Sequence, residues 1–251
     1  MDRAYYDEYY FLERNHWWFI VRLNILDDFF HRILDQGRNY SILNIGVATG
    51  ASNNVLEKFG EVTSIEYDQD CALFTFRNNG NSNLIASIED LPFKMDSFDI
   101  VCAFDVIEHV ENDNRSVLEM KRVCKPGGRI VITVPAMMCL WSHHDEVNQH
   151  LKRYNLQEIT GLFRVNGNNG SEIYKTYFNT LLFPFILMFR LISRLLPKKM
   201  IRHGAGTDFT IIKNENILNS LLFRVFDIER ILLKYLKFDF GTSILYAWQK
   251  K

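Results

Sequence analysis

The chain has 251 residues, of which 47% are hydrophobic, 14% aromatic and 24% charged, and its formal net charge is −1. This length and composition predict one folded domain rather than a disordered chain. The balanced charge disfavours wholesale nucleic-acid binding, which usually leaves a basic footprint. The four cysteines form no C-x-x-C pair, so we expect reduced thiols and a cytoplasmic protein.

The most apolar stretch, residues 178–196, has about the length of a membrane span. Pro184, Arg190 and Arg194 interrupt it, and a charge near the centre of a helix is costly in lipid. We therefore interpret it as a buried or cap helix rather than a span. Peripheral contact with a membrane surface or a lipid substrate stays open as the alternative.

From residue 40 onward, short β-branched runs alternate with helical patterns, which predicts a mostly parallel α/β sheet with helices on both faces. The predicted strands are Ser41–Ile45, Val62–Glu66, Asn83–Ala86, Phe98–Phe104, Arg129–Val134, Glu172–Tyr177 and Ser243–Trp248. The predicted helices are Ala51–Phe59, Asp70–Asn79, Asn112–Cys124 and Asn155–Phe163. A long helical segment, Thr180–Leu236, is expected before the last strand, with a loop at Gly204–Gly206.

The first predicted strand ends in a loop of small residues, Gly46-Val47-Ala48-Thr49-Gly50. Such a loop lets a ligand approach the backbone, and the N–H groups of the following helix favour electronegative partners. By itself the pattern is equally typical of a tight turn with no ligand. Glu66, at the end of the second strand, strengthens the binding interpretation because a carboxylate there can accept hydrogen bonds from ribose hydroxyls.

Four motifs occur in order between residues 41 and 135: ILNIGVATG, VTSIEYD, ASIEDLPFKMDSFDIVCAFDVIEHV and KPGGRIVITVP. Together they resemble the class I S-adenosyl-L-methionine-dependent methyltransferases, in the type 11/type 12-like branch. Segments outside this core also resemble that branch: ERNHWWFIVR, LWSHHDEVNQHLKRY and DFGTSILYAW. The resemblance implies a seven-stranded, mostly parallel Rossmann-like sheet, S-adenosyl-L-methionine as cofactor, and a small-molecule or glycan/lipid-linked acceptor.

The resemblance further implies a single domain over 1–251. We predict an N-terminal helical lid at 1–36, a cofactor-binding core at 37–179, an inserted helical cap at 180–236 and a final strand within 237–251. The aromatic and charged residues of the lid and of the loop after the fifth strand are expected to contact the acceptor. These predicted acceptor-binding residues are Trp17, Trp18, Arg22, Trp141, Arg153 and Tyr154.

The resemblance also assigns cofactor roles. Glu66 would hold the ribose diol, Tyr67 would flank the adenine, and Phe104 and Asp105 would lie near the sulfonium. The full predicted cofactor-binding set is Asn44, Gly46, Val47, Ala48, Gly50, Glu66, Tyr67, Ser87, Ile88, Glu89, Phe104 and Asp105.

Three positions depart from the family pattern. Asn44 stands where an acid is usual, Ala48 where a second glycine is usual, and Ser87 where Asp is common. Since a neutral hydrogen bond contributes less than a charge-assisted one, Asn44 should weaken the hold on the ammonium group of the cofactor. Ala48 should be tolerated if its φ is negative.

Methyl transfer requires in-line alignment, and a hydroxyl acceptor also requires a base, for which histidine is best tuned near neutral pH. We favour His144 with Asp145 nearby, and His150 as the second choice. His109 with Asp105, at the mouth of the fourth strand, completes the catalytic candidates. The spacing of Cys139, His143, His144 and His150 matches no common zinc set, so no metal is predicted.

Two alternatives to methyl transfer stay open. One is an enzyme that consumes S-adenosyl-L-methionine by cyclisation or elimination and releases methylthioadenosine; the altered Asn44 loop motivates it. The other is a non-catalytic cofactor-binding subunit that needs a partner chain. A nicotinamide-dependent Rossmann enzyme is a distant further option, because the EDLPF and FDIVCAFDVIEHV motifs have no role in it.

Overall fold

The structure is a computed structural model that describes residues 3–80, 83–165, 169–195 and 217–251. Its strands are β1 (Tyr40–Ile45), β2 (Gly60–Glu66), β3 (Leu84–Ile85), β4 (Phe98–Phe104), β5 (Cys124–Pro135), β6 (Gly170–Phe178) and β7 (Ser243–Lys250). Its α-helices are α1 (Arg3–Asn15), α2 (Trp17–Ile33), α3 (Asn53–Leu56), α4 (Gln69–Asn79), α5 (Asp113–Val123), α6 (His143–Val147), α7 (Leu156–Val165), α8 (Phe183–Leu195) and α9 (Ile217–Leu232).

The seven strands form one sheet in the order β3-β2-β1-β4-β5-β7-β6. The pairs from β3 to β5 are parallel, and β7 pairs antiparallel with both β5 and β6. The strand order reverses direction between β1 and β4, and a crevice at the carboxyl ends of the strands is expected at such a point. The predicted fold, a mostly parallel Rossmann-like methyltransferase sheet with helices on both faces, is confirmed.

The sheet is covered on both faces because its central strands are apolar on both sides. Val117 and Met120 of α5 and Phe163 of α7 pack on one face. Leu26 of α2 and Phe226 of α9 belong to the core on the other face. This double burial explains why β4 and β5 are nearly continuous apolar runs rather than alternating ones.

Two local predictions differ from the structure. The helix predicted at 51–59 is reduced to the four residues of α3. The turn residues 125–128 form the irregular beginning of β5, where the register against β4 shifts between Phe98 and Ile100; Gly127 accommodates this with a φ of 76°. The predicted loop at 204–206 lies outside the described residues.

Helices α8 and α9 lie in sequence between β6 and β7, where the helical cap was predicted. Within the described part of the chain, no helix combines the length and the apolar character that crossing a membrane requires.

Candidate cofactor and acceptor site

A cavity of about 1070 Å³ lies over the carboxyl ends of β1, β2 and β4, with walls from α1, α2, α8 and α9. Most of the predicted site residues line it. They are Trp17, Trp18, Arg22, Gly46, Val47, Ala48, Glu66, Tyr67, Ser87, Ile88, Glu89, Phe104, Asp105, His109, His144, His150 and Arg153. Residues from six separate segments of the sequence therefore meet at one crevice, as the position of the sheet reversal requires.

Five predicted residues do not line this cavity: Asn44, Gly50, Trp141, Asp145 and Tyr154. Tyr154 is buried, and its hydroxyl donates to the carbonyl of Ile107 at 3.1 Å. Asn44 is also buried and donates through Nδ2 to Ser52 Oγ at 2.9 Å and to Asn53 Oδ1 at 2.7 Å. Asn44 thus connects β1 to α3, beneath the loop that faces the cavity.

The loop after β1 turns sharply through left-handed backbone conformations. Gly46 has a φ of 66°, and a Cβ built on it would lie 2.6 Å from Cγ2 of Val106, so only glycine fits. Ala48 has a φ of 47°. The condition for tolerating Ala48 without strain, a negative φ, is therefore not met: an L-residue holds the left-handed conformation that glycine adopts more readily.

Backbone amides hold the Glu66 carboxylate against this loop. Its Oε1 accepts from the N–H groups of Tyr67 (2.8 Å) and Asp68 (3.0 Å), and its Oε2 accepts from the N–H of Ala48 (2.9 Å). Burial raises the pKa of Glu66, and these three amide bonds oppose that rise. A carboxylate has about four acceptor positions, and the three amides occupy three of them. One position is therefore open to a ligand hydroxyl. A second would open if the Ala48 amide moved away.

Arg22 of α2 extends to the end of β4. Its guanidinium forms a very short ion pair with Asp105 and donates to Thr133 Oγ1 at 3.1 Å. Asp105 itself has a φ of 57°, a left-handed conformation that aspartate tolerates better than most residues. The ion pair joins the N-terminal helices to the sheet at the cavity wall.

Asp145 is fully buried beside the cavity and joins three elements. Its carboxylate faces His150 Nδ1 at 2.8 Å and accepts from Arg153 Nε at 2.8 Å, and Arg190 of α8 lies 3.5 Å away. These partners lower the pKa of Asp145, although burial opposes them. Asp145 was predicted to lie near His144, and the histidine that its carboxylate contacts at 2.8 Å is His150.

His144 is half-buried, and its ring lies 3.3 Å from the side-chain amide of Asn148. His109 is exposed, with its ring centroid 4.8 Å from that of His150. Desolvation of the part of its ring that is packed against the protein lowers the pKa of His109 to about 4, and the neighbouring His150 adds to this effect. His109 is therefore neutral at physiological pH.

Two groups of cavity residues that bear on its chemistry were not among the residues predicted from the sequence. One is Glu108, which lies beside His109 and is fully buried; its place in the run VIEHV was visible, but its burial was not. The other is the apolar wall from the helical segment: Leu182, Phe185, Ile186, Phe189, Leu218 and Leu222. The apolar spacing of that segment predicted packing, but gave no indication of which face meets the cavity.

Comparison with known proteins gives the same class as the fold. A family profile described as a methyltransferase domain, type 11, matches residues 43–132. An uncharacterized protein of Methanocaldococcus jannaschii is 34% identical over 103 residues, which cover 41% of this chain and 47% of that protein. A ubiquinone/menaquinone biosynthesis C-methyltransferase, UbiE, of Geotalea daltonii is 30% identical over 133 residues, covering 42% and 56%.

Among solved structures, a methyltransferase of Thermotoga maritima described as a possible histamine N-methyltransferase covers 99% of this chain and 96% of its own. The TM-score is 0.58 at 16% identity, so this similarity concerns the fold. The chain spans about half the length of the curated relatives that it matches.

The sheet order, the loop after β1 and the profile match define a Rossmann-like methyltransferase domain. Residues 43–132 match the methyltransferase-domain family model, and 42% of the chain is similar to a C-methyltransferase. S-adenosyl-L-methionine is the cofactor that this similarity indicates, and the cavity over the β1 loop has the polar and apolar surfaces that its ribose and adenine need.

Proposed function

We propose that the protein transfers the methyl group of S-adenosyl-L-methionine to an apolar or lipid-linked acceptor bound in the same cavity. The observation that carries the proposal is the placement of the Glu66 carboxylate against the left-handed loop at Gly46 and Ala48, at one end of a large cavity with an apolar wall. The ribose lies toward Glu66, with Tyr67 and Ile88 beside the adenine. The sulfonium then lies near Phe104 and Asp105.

The chemistry requires little from the protein beyond alignment and exclusion of water, since the sulfonium methyl is already electrophilic. Trp17 and Trp18 of α2 supply aromatic surface over the cavity, and Arg22 connects that helix to Asp105. These contacts support the role of residues 1–36 as a lid over the donor and the acceptor.

For a hydroxyl acceptor, His144 is the proposed base, because it lines the cavity and is half-buried there. Replacing His144 by Ala should lower the rate of methyl transfer by about 100-fold or more, while the affinity for S-adenosylhomocysteine changes by less than about threefold. His143, which is exposed and outside the cavity, provides the control: His143→Ala should retain the rate. Equal rates for the His144→Ala variant and the wild type would contradict the assignment.

Helices α8 and α9 supply the apolar surface that favours an apolar acceptor. Phe185 and Phe189 line the cavity and are also 65% and 49% exposed, and Met188 and Ile192 are exposed beside them. A soluble domain with a continuous apolar surface at the mouth of its cavity is suited to contact a lipid surface and receive an acceptor from it. Arg190 interrupts this apolar sequence, but its side chain is buried against Asp145. The charge is therefore compatible with contact between α8 and a lipid surface.

The test uses S-adenosyl-L-methionine carrying a labelled methyl group, with and without a total lipid extract as acceptor source. The proposal predicts label in the organic phase that depends on both protein and extract. Label restricted to released methylthioadenosine without any acceptor would favour the cofactor-consuming alternative. Cofactor binding with no label transferred to lipid or to water-soluble extracts would favour the non-catalytic subunit.

A further inference from the structure

Glu108, His109 and His150 bring three potential metal ligands together at the cavity wall. One carboxylate oxygen and one ring nitrogen from each histidine all lie within 4.8 Å of one another. Glu108 and His109 follow β4, whereas His150 follows α6, 41 residues further along the chain. All three residues line the cavity, so an ion held between them is reachable by a small molecule bound there.

The Glu108 carboxylate needs a partner that the described residues do not supply. The residue is fully buried, and neither of its oxygens accepts a hydrogen bond from the described part of the chain. Glu66 and Glu229, also buried acids, each accept from at least two backbone amides. Because a buried polar group without a partner is costly, an unpaired carboxylate within 4.8 Å of two imidazole nitrogens favours the binding of a cation.

Asp145, beside this cluster, fixes the orientation of the His150 ring, as a metal site requires of its ligands. Asp145 contacts His150 at Nδ1, 2.8 Å away, which leaves Nε2 for a ligand. Arg153 Nε donates to the same carboxylate oxygen at 2.8 Å and holds it in place. A carboxylate on the far nitrogen of a histidine is the usual support of a metal-binding imidazole, because it sets the tautomer and raises the basicity of the ligand.

We propose that Glu108, His109 and His150 bind one divalent transition-metal ion at the acceptor end of the cavity. Two imidazoles and one carboxylate form a ligand set typical of Zn²⁺ and its neighbours, with further coordination positions open to solvent or substrate. Ligands of a tetrahedral ion at about 2 Å are roughly 3.3 Å apart. The three side chains must therefore approach by at most about 1.5 Å, a shift that side-chain rotation can supply.

The inference goes beyond the proposed methyl transfer and does not depend on it. It also replaces the prediction of no metal, which considered Cys139, His143, His144 and His150 by their spacing. Glu108 and His109 were outside that set, and the set that converges in the fold shares only His150 with it.

The experiment is calorimetric titration of the full chain, first stripped with a chelator, with Zn²⁺, Mn²⁺ or Mg²⁺ chloride alone. We expect one equivalent of Zn²⁺ to bind with a Kd in the micromolar range or below, Mn²⁺ to bind more weakly, and Mg²⁺ to bind most weakly. Glu108→Gln should weaken Zn²⁺ binding at least tenfold. Since the wild-type carboxylate makes no hydrogen bond within the described residues, this variant should fold.

His109→Ala is the second variant and should give the same loss, so the test does not depend on one substitution. His143→Ala removes an exposed histidine of the neighbouring helix and should leave the affinity unchanged. No saturable binding of any of the three ions up to about 1 mM would overturn the proposal. So would equal Zn²⁺ affinity in the wild type and in both cluster variants, because the ion would then be bound elsewhere on the surface. Titration with S-adenosylhomocysteine, run separately, reports on the cofactor site alone.

Discussion

Ala48 adopts a left-handed conformation, with a φ of 47°, at the centre of the loop that faces the cavity. Its N–H donates to Glu66 and its carbonyl accepts from Thr75 Oγ1 at 2.8 Å. These two hydrogen bonds hold the residue in a conformation that costs an L-residue about 1–2 kcal/mol. The loop geometry is therefore specified by its surroundings and not by the conformational preference of the residue itself.

Replacing Ala48 by Gly should stabilise the protein. The relief of about 1–2 kcal/mol exceeds the additional unfolded-state entropy of glycine, about 0.4–1 kcal/mol, so we expect a net gain of about 0.5–1 kcal/mol in the free energy of unfolding by urea. Ala72→Gly, in the middle of α4, is the matched control and should destabilise by about 1 kcal/mol. A loss of stability in both variants would contradict the strain at Ala48.

Asp99 lies at the amino end of β4, away from the cavity. It accepts from Ser41 Oγ at 2.6 Å, from the Ser41 N–H at 2.9 Å and from Lys125 Nζ at 3.1 Å. Burial alone would raise the pKa of Asp99, but the effect of these hydrogen bonds and of the Lys125 charge is larger and lowers the pKa to about 2. Because the folded-state pKa is below the unfolded value near about 4, the stabilisation is present above pH about 4 and is lost as the pH falls toward 2.

The corresponding prediction concerns Asp99→Asn. At pH 6 to 7 this variant should be less stable than the wild type by about 1 kcal/mol, a value reduced by solvent screening of the partly exposed ion pairs. The difference should shrink as urea unfolding is repeated at successively lower pH between about 5 and 3. A difference that stays constant across this range would show that Asp99 contributes through packing and not through its charge.

At the scale of elements, hydrogen bonds connect α1 to the loop after β1 and to α4. Arg14 donates to the carbonyl of Thr49 at 3.0 Å and to Thr49 Oγ1 at 3.2 Å, and its guanidinium lies 3.5 Å from the ring centroid of Tyr10. Tyr10 in turn donates to Asn79 at 3.1 Å. The Thr49 hydroxyl also donates to Glu13, so several polar contacts connect this helix to the loop. An element that opens to admit a ligand would have to break them.

Arg14→Ala should accelerate amide hydrogen exchange in α1, without changing the exchange of β4 and β5. The reason is that the substitution removes contacts of the helix to the loop but none within the sheet. Lys58→Ala, which removes an exposed ion pair to Asp27, serves as the control and should leave α1 unchanged. Exchange in α1 that is equally slow in the wild type and Arg14→Ala would show that its apolar packing, and not Arg14, holds it closed.

Element by element, the sequence predicted the strands well because each is a short apolar run between turn residues. It overestimated the helix after β1, since the left-handed turn at Gly46 and Ala48 and the buried side chain of Asn53 leave room for only one helical turn. From the sequence, Arg190 was interpreted only as a charge that interrupts an apolar helix. Its buried pairing with Asp145 joins residues 45 positions apart, which local spacing does not report.

For the molecule as a whole, the family motifs contain residues that line one end of the cavity, because Gly46, Ala48 and Glu66 lie at strand ends that the sheet order brings together. The contacts at the opposite end of the cavity could not be predicted in this way. Which histidine Asp145 contacts, and that Glu108 is buried without a donor among the described residues, depend on the path of the chain between β5 and α7. Periodicity and motif spacing contain no information on that path.

Methyl transfer in this cavity requires a nucleoside sulfonium to bind with its ribose at Glu66, and calorimetric titration with S-adenosylhomocysteine measures this binding directly. We expect a saturable one-to-one complex, weakened more than tenfold in Glu66→Ala, which corresponds to about 1.4 kcal/mol or more. Glu61→Ala, an exposed acid at the other end of β2, should bind like the wild type. Absence of binding at about 1 mM, or equal affinity in Glu66→Ala and the wild type, would contradict the account.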